Sequence, residues 1–266
     1  MIIASGQTLT ADMYGGFTGS GRYAPAIFRR MADSQELFAY PSRAELTFEI
    51  KMRNETIEAS HALLSSGVAF ATFYYSACND RFWSLTGDGG FELRPGSPAS
   101  EAIRDIFNNG ESYAFECATA MMIVFYKALI ETISEDRFNE IFQHLFLWDW
   151  QNHPFFPLKN AYRVGQGIPG DVRYFKNPEV SPQTPQWQGE NAVDLSDHLY
   201  YGHGIGILSP DQIITELNKY RRRGAEISAF LMSNATRPDY LSLSSLANGS
   251  QTEGIRVAAG TSFYTF

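Results

Sequence analysis

The segment that most restricts the fold of this chain is residues 116–133, which is apolar on nearly every side. It reads Glu-Cys-Ala-Thr-Ala-Met-Met-Ile-Val-Phe-Tyr-Lys-Ala-Leu-Ile-Glu-Thr-Ile, and a helix of this composition has no broad face for water. Such a helix is stable only where other elements surround it. The sequence therefore predicts a central buried helix with Cys117 at its start.

The segments on either side of this helix predict the elements that cover it. Residues 42–45 form a capping box, in which a serine is followed three residues later by a glutamate, and it opens a helix to about Ser65. A second capping box at 209–212 opens a helix that Gly224 closes. Helices clustered before a run of strands are typical of an α+β fold. The other predicted helices are 23–31, 98–108 and 134–144, the loops are 15–21 and 153–170, and the strands are 2–5, 68–75, 81–85, 91–94, 146–150, 172–176, 192–195, 199–202 and 226–232.

The composition of the chain indicates one globular domain. Its 266 residues are 44% hydrophobic and 19% charged, and no internal repeat or long linker divides them. Aromatic residues make up 14% of the chain, which suits an aromatic core and an aromatic-lined cleft. We therefore predict a single domain over residues 1–266, whose Ser-, Asn- and Gly-rich tail after about residue 238 the pattern does not place.

The charge of the chain limits its partners. A net charge of −8 argues against nucleic acid, since phosphate binding needs clustered lysine and arginine. The one basic run, residues 221–223, falls at the predicted end of the 209–224 helix, where cations complement the helix dipole. An acidic surface favours cationic partners such as lysine-rich proteins.

Two cysteines, Cys78 and Cys117, are too few for a disulfide scaffold and are typical of a reduced, intracellular protein. The opening residues lack the basic leader and apolar stretch of a signal peptide. No run of about 18 apolar residues is present, so we expect no transmembrane helix. We therefore expect cytoplasmic synthesis and no membrane partner.

Cys117 is the first candidate for chemistry because it stands at the start of the buried helix. The N–H groups of a helix N-terminus carry partial positive charge, which stabilises a thiolate and lowers the pKa of the thiol. The same groups can hold an oxyanion after the sulfur attacks a carbonyl carbon. Free cysteines are also among the most buried residues and are usually inert, so position alone leaves both interpretations open. Cys78 has no such context, and we interpret it as structural.

A thiol nucleophile needs a base, and His203 is the histidine whose surroundings suit that role best. It lies between two glycines at the end of a predicted strand, where a substrate or another backbone can approach closely. Without Cys117, a histidine in a turn would be the preferred interpretation. His61 and His144 fall in amphipathic helices, and the position of His153 in a loop gives no indication of its role.

A carboxylate partner for His203 follows from the expected pairing of a β-hairpin. If the turn is centred between Ser196 and Asp197, Glu190 lies directly opposite His203. Opposed side chains share one face of the sheet with Cβ atoms roughly 5 Å apart, which allows a carboxylate–imidazole contact. A loop of odd length would shift the register by one residue and remove this contact.

Glu116 is the competing carboxylate. Neighbouring helical residues point in different directions, so we do not expect Glu116 to share the direction of the Cys117 thiol once the helix has begun. At the first turn it could instead act as a capping anion that interacts with the helix dipole.

Four stretches of the chain resemble the protein-glutamine γ-glutamyltransferases, or transglutaminases, of endospore-forming bacteria. They occur in the same order as in that family and surround the thiol, the histidine and both carboxylates. Weaker similarity extends with gaps from Met1 to about Arg237. The stretches are Tyr-Ala-Phe-Glu-Cys-Ala-Thr-Ala at 113–120, Tyr-Phe-Lys-Asn-Pro-Glu at 174–179, Trp-Gln-Gly-Glu-Asn at 187–191 and Gly-His-Gly-Ile-Gly-Ile-Leu at 202–208.

The resemblance implies a papain-like α+β core and an enzyme that needs no cofactor, metal or calcium. Its partners would be proteins with reactive glutamine and lysine side chains, and the family cross-links proteins of the spore coat, which would also be its location. The chain has no Asp-rich loop of calcium-binding spacing, which agrees with calcium independence.

The resemblance also implies roles for individual residues. Cys117 would be the nucleophile and Glu190 the essential carboxylate. Glu116 would be a second, partly redundant acid, and His203 a further member of the active site. The aromatic positions that wall the active-site passage in this family correspond to Phe70 and Trp187.

The chemistry implied by the resemblance is acyl transfer. The thiolate of Cys117 would attack a glutamine carboxamide and release ammonia, and a lysine amine would then resolve the thioester. Glu190, with His203, would move the protons, and an aromatic passage would limit attack by water, which yields only deamidation. A cysteine hydrolase, either a peptidase or a glutamine deamidase, would use the same thiol. A non-catalytic coat protein that kept the fold is a third interpretation.

Overall fold

The computed structural model describes residues 1–16, 21–247, 249, 256–259 and 262–265, so residues 17–20 of the predicted loop 15–21 lie outside the described residues. Helices and strands alternate along these ranges. The helices are α1 (Ala24–Asp33), α2 (Arg43–Ser65), α3 (Ala99–Asn108), α4 (Cys117–Ile130), α5 (Glu135–Ile141), α6 (Pro210–Asn218) and α7 (Tyr240–Ala247). The strands are β1 (Ile2–Ala4), β2 (Gln7–Leu9), β3 (Phe38–Tyr40), β4 (Ala69–Phe70), β5 (Trp83–Leu85), β6 (Phe91–Leu93), β7 (Ala114–Phe115), β8 (Phe146–Leu147), β9 (Leu158–Tyr162), β10 (Val172–Lys176), β11 (Gly189–Asp194), β12 (Tyr200–Gly202), β13 (Gly206–Leu208), β14 (Phe230–Pro238), β15 (Arg256–Ala259) and β16 (Ser262–Thr265).

Helix α4 is the central element. All of its residues except Lys127 are buried, as the apolar composition of the segment requires. It packs against α2, α3 and β11, so helices and a sheet both cover it. The predicted central buried helix is confirmed, although it ends at Ile130 rather than at Ile133.

The largest sheet is antiparallel, and its strand order is β13-β12-β11-β10-β14-β9. Helix α4 packs on it through β11, which confirms the predicted α+β class with a central helix on an antiparallel sheet. None of the described helices is both long and apolar enough to span a membrane. The smaller sheets have the orders β2-β1-β3, β5-β6-β8, β4-β7 and β15-β16.

Both predicted capping boxes are present. At the start of α2, the N–H of Ser42 donates to Glu45 at 2.9 Å while the Ser42 hydroxyl accepts from the first turn. The same reciprocal pattern joins Ser209 and Gln212 at the start of α6. These contacts satisfy N–H groups that a helix N-terminus otherwise leaves without partners.

The predicted end of the second of these helices is wrong, because α6 stops at Asn218 instead of reaching Gly224. Arg221 forms a β-bridge with Val180, and Arg222 forms an ion pair with Glu179. Arg221 and Arg222 of the basic run 221–223 therefore contact residues 179–180, and the run does not lie at the end of the helix.

Several strand and loop assignments also differ from the prediction. In the predicted strand 68–75, only Ala69–Phe70 pairs with another strand, because its partner β7 has two residues, and Phe73–Tyr75 forms a 3-10 helix. The predicted loop 153–170 contains β9, an edge strand with mostly exposed side chains and no clear alternation. The predicted strand 226–232 begins at Phe230 and continues to Pro238 as β14.

The hairpin of β11 and β12 turns through a three-residue loop, 196–198. All three loop residues have positive φ angles, 78°, 51° and 60°, which places them in the left-handed region. The strands accordingly pair Ala192 with Gly202. The predicted register, with Glu190 opposite His203, is wrong by one residue because the loop has an odd length.

A buried network of ion pairs joins α2 to the six-stranded sheet. Arg53 on α2 pairs with Glu49 one turn earlier and with Asp171 beside β10, each at 2.8 Å. Asp171 also pairs with Arg237 of β14 at 2.8 Å, and Arg237 reaches Glu36 at the same distance. Burial would raise the pKa of Asp171, but Arg237 and Arg53 together lower it. Each buried charge in the network therefore depends on its partners.

We expect Arg53→Met to lower the free energy of unfolding by about 3–5 kcal/mol, because it removes a cation from the buried Asp171. Arg104→Met is the matched control, since Arg104 pairs with Glu135 at a partly exposed surface and should cost about 1 kcal/mol or less. Urea unfolding followed by circular dichroism measures both changes. Equal losses in the two variants would contradict a special role for the buried network.

Candidate active site

The thiol of Cys117 lies at the N-terminus of α4 and is only 5% exposed. Its Sγ donates a hydrogen bond to Oε1 of Glu116 at 2.9 Å, and Oε2 of Glu116 accepts the N–H of Ala118 at 2.7 Å. Glu116 is the N-cap and has an extended backbone (φ −85°, ψ 160°), so helical geometry does not separate the two side chains. The expectation that Glu116 points away from the thiol is wrong, whereas the expected helix cap is confirmed.

Asn191 on β11 also contacts the sulfur, and the sequence reasoning did not single it out. Its Nδ2 lies 3.5 Å from Sγ of Cys117, in position to donate a hydrogen bond. Its backbone N–H acts on the same sulfur and favours the thiolate. A signal for this residue was present, since Asn191 ends the stretch 187–191 that resembles the transglutaminases.

Glu190, the neighbour of Asn191 on β11, is 3% exposed, and its Oε1 has no hydrogen-bond partner among the described residues. Burial raises the pKa of Glu190 well above its usual range, and the charge of Glu116 raises it further. The backbone N–H of His203 opposes this rise only in part. Burial and the charge of Glu116 thus favour the protonated carboxyl of Glu190, which can act as a proton donor.

The pKa of the Cys117 thiol is also raised well above its usual range. Burial is the main cause, and the charges of Glu190 and Glu116 add to it. The expectation that the helix N-terminus lowers this pKa is wrong, because burial and two carboxyl groups outweigh the dipole. We refer to Cys117, Glu116 and Glu190 as the thiol–carboxyl cluster. At neutral pH the thiol therefore keeps its proton.

The ring of His203 is buried against Phe115, the residue before Glu116. It stacks on Phe115, with ring centroids 4.9 Å apart, and lies 6.0 Å from the ring of Phe70. Its Nδ1 is 3.3 Å from the hydroxyl of Tyr201, and its Nε2 is 3.3 Å from the carbonyl oxygen of Ala69. Burial lowers the pKa of His203 to about 4, although hydrogen bonds to backbone carbonyls act in the opposite sense. The ring is therefore neutral at neutral pH, and both nitrogens face groups outside the cluster.

A cleft of about 560 Å³ opens onto Cys117. Asp149 lines it together with Glu116, which makes the cleft acidic. The backbone of Asp149 is left-handed (φ 48°), and its N–H donates to Oγ1 of Thr119 on α4 at 2.9 Å. This hydrogen bond holds one wall of the cleft to the helix that carries the thiol. The aromatic residues of the lining are Phe73, Trp150 and Tyr174.

The two aromatic residues predicted to wall the passage lie elsewhere among the described residues. Phe70 packs beside the ring of His203, against the backbone of Gly204. Trp187 stacks face to face on Tyr220, with ring centroids 4.1 Å apart and planes at 1°. Neither belongs to the lining of the cleft at Cys117. Their role in a passage stays a prediction.

Comparison with known proteins decides the family of this chain. A sequence profile described as protein-glutamine gamma-glutamyltransferase matches residues 1–247. The chain belongs to the protein-glutamine gamma-glutamyltransferase family. This match extends beyond Arg237, where the resemblance described from the sequence motifs ends.

Similar transglutaminases are found in several bacteria. The protein-glutamine gamma-glutamyltransferase of Bacillus subtilis (strain 168) is 43% identical, over 91% of this chain and 98% of the relative. The relative of the same name from Halalkalibacterium halodurans is 43% identical, over 86% of this chain and 80% of the relative. A solved structure, "Transglutaminase from Geobacillus stearothermophilus (without C-terminal extension)", is 48% identical with a TM-score of 0.75, and the match covers 78% of this chain and 99% of that one.

The family assignment confirms the predicted enzyme class. A transglutaminase transfers the acyl group of a protein glutamine, whose carboxamide reacts slowly without a nucleophile and a means of moving protons. In the cleft, Cys117 and Glu116 are groups of these two kinds, and Glu190 lies buried behind the lining.

For this transglutaminase, we expect iodoacetamide to alkylate Cys117 slowly at neutral pH and faster up to and beyond about pH 9, because the pKa of the thiol is raised. Glu116→Gln removes a negative charge 2.9 Å from the sulfur, so the pKa should fall and alkylation at about pH 8 should speed up by about tenfold. Both rates are measured by mass spectrometry in a Cys78→Ala background, where Cys117 is the only thiol. A rate that is already constant below neutral pH would contradict the raised pKa.

Proposed function

We propose that this protein cross-links other proteins without calcium, by joining a glutamine side chain to a lysine amine through a thioester on Cys117. The observation that carries the proposal is the position of the thiol at the base of an open cleft, with carboxyl groups of Glu116 and Glu190 beside it. Transfer of an acyl group from an amide to an amine is helped by a nucleophile and by groups that give and take protons.

In the first half of the reaction, the Cys117 sulfur attacks the carboxamide carbon of glutamine while its proton passes to Glu116, the acceptor of its hydrogen bond. The amide of Asn191 would stabilise the oxyanion, together with N–H groups at the start of α4 other than that of Ala118, which Glu116 accepts. Glu190, whose raised pKa favours the protonated carboxyl, gives its proton to the leaving nitrogen. Ammonia leaves, the C–N bond is broken, and a thioester remains.

In the second half, the neutral amine of a lysine attacks the thioester carbon. Its surplus proton passes to the Glu190 carboxylate, and the departing sulfur recovers its proton from Glu116. Both carboxyl groups and the thiol thereby return to their starting states. His203 would contribute as a neutral ring that packs behind the cluster.

The acidic cleft fits a cationic acceptor. Glu116 and Asp149 line it, and the chain as a whole has a net charge of −8, so a lysine ammonium would be attracted before it loses its proton. We further propose that the substrates are spore-coat proteins and that the spore coat is the place of action. The support is the resemblance to the transglutaminases of endospore formers and the occurrence of relatives in Bacillus.

Hydrolysis is a second candidate outcome of the same chemistry. The cleft has polar as well as aromatic lining residues and is open to solvent, so water can reach a thioester on Cys117. Water in place of lysine would convert glutamine to glutamate. Comparing the ammonia released with the amine incorporated separates the two activities.

We expect the purified protein to form γ-glutamyl-lysine bonds in the presence of EDTA, detected by mass spectrometry. Cys117→Ala should remove this activity and keep the fold, because the substitution is small. Cys78→Ala should keep nearly all activity, since the Cys78 thiol, whose pKa burial raises to about 11, lies outside the cleft lining. Activity that persists in Cys117→Ala would contradict the thioester on Cys117. Activity that requires added calcium would contradict calcium independence.

Glu190→Gln should lower turnover by about 100-fold or more, because it removes the proton donor for ammonia while keeping the shape of the side chain. Glu116→Gln should cost less, because the loss of its charge lowers the pKa of the thiol and so offsets the lost base. Steady-state kinetics with saturating amine measures both. A larger loss in Glu116→Gln than in Glu190→Gln would reverse the assigned importance of the two acids.

A further inference from the structure

A loop beside the cleft, residues 71–77, presents two tyrosines to solvent. The side chains of Tyr74 and Tyr75 are 87% and 73% exposed, and their rings meet edge to face with centroids 4.9 Å apart. Large aromatic residues are usually at least half buried, and tyrosine on a surface is enriched where proteins bind one another. The two exposed rings therefore form a surface that a bound protein can contact.

Both ends of this loop are hydrogen-bonded to the strand that leads to the nucleophile. The N–H of Ala71 donates to the carbonyl of Phe115 at 2.9 Å. At the other end, Ala77 and Ala114 exchange two backbone hydrogen bonds, each 2.9 Å long. Because β7 ends one residue before Glu116 and two before Cys117, the loop is tied directly to the active site.

The loop also has firm support from behind. The ring of Phe73 packs against Trp148 with centroids 5.5 Å apart, and the indole N–H of Trp148 donates to the carbonyl of Asp88 at 3.0 Å. A side chain at Gly89 would collide with the carbonyl of Phe73. This glycine therefore allows the turn between β5 and β6 to pack closely against the loop. The tyrosines thus stand on a preformed platform, which lowers the entropy cost of binding.

We propose that Tyr74 and Tyr75 bind the main chain and the apolar neighbours of the reactive glutamine in protein substrates. This inference rests on the proposed function and adds the surface that selects protein substrates over small amides. Thr72 and Phe73 line the cleft itself, so the tyrosine pair continues the cleft outward along the same loop.

The length of the side chains explains why glutamine, not lysine, brings its main chain to this loop. The reacting carbon of glutamine is three bonds of roughly 1.5 Å from Cα, a reach of about 4 Å, whereas the lysine nitrogen is five bonds away. The Cys117 thiol is only 5% exposed at the base of the cleft. A glutamine that reaches it must therefore bring its main chain into the cleft mouth, where the loop stands.

The test compares kcat/KM for two acyl donors, dimethylated casein and the short peptide benzyloxycarbonyl-glutaminyl-glycine, with one fluorescent primary amine as acceptor. In the double variant Tyr74→Ala/Tyr75→Ala, the ratio of the casein value to the peptide value should fall about tenfold, mainly through KM. The variant Tyr74→Phe/Tyr75→Phe keeps the rings and should hold the ratio within about twofold of the wild type.

The matched control is Leu37→Ala, which removes an apolar side chain that is 55% exposed and outside the lining of the cleft. It should leave the ratio as in the wild type. An unchanged ratio in the double alanine variant, or an equal fall in Leu37→Ala, would overturn the proposed surface. A wild-type protein that incorporates no amine with either donor would instead overturn the proposed function, and the surface with it.

Discussion

The hydrogen bond from the Cys117 thiol to Glu116 holds a thiol 2.9 Å from a carboxyl group inside a nearly buried site. Burial and two neighbouring carboxyl groups both disfavour a free thiolate. The site consequently keeps its proton on sulfur at neutral pH. The surrounding structure has to hold three titratable groups close together where a cleft opens onto the thiol.

The backbone around Glu116 makes this possible. As the N-cap of α4, Glu116 is extended and not yet helical, so one of its oxygens satisfies the helix N-terminus while the other accepts the thiol proton. Helix α4 itself is buried by α2, α3 and β11, so its first turn has little freedom to move. Strand β11 brings in Asn191 from the opposite direction. The precision of the site therefore comes from rigid elements and not from loops.

Much of this arrangement could be predicted from the sequence, and the remainder could not, for physical reasons. The apolar segment 116–133 predicts a buried helix because no other environment accepts such a surface, and the capping boxes predict where helices begin. The register of β11 and β12 depends on three consecutive left-handed residues at 196–198, none of them glycine, and such residues give no signal of loop length. The pKa of Cys117 depends on burial and on Glu190, which is far away in the sequence, as well as on the adjacent Glu116, so the helix-start position alone does not reveal it.

The shifted pKa values of Glu190 and His203 also make the stability of the fold depend on pH. His203 has a pKa of about 4 in the folded protein, below its value in an unfolded chain, so the unfolded state takes up more protons and stability declines as the pH falls from about 6.5 toward 4. The pKa of Glu190 is raised, so here the folded state holds the extra proton, and this contribution to stability is lost as the pH rises through that pKa. Protonation of His203 thus opposes the native state as the pH falls, and ionisation of Glu190 opposes it as the pH rises. Two buried groups, one on β11 and one directly after β12, therefore make the stability of the fold depend on pH in opposite directions.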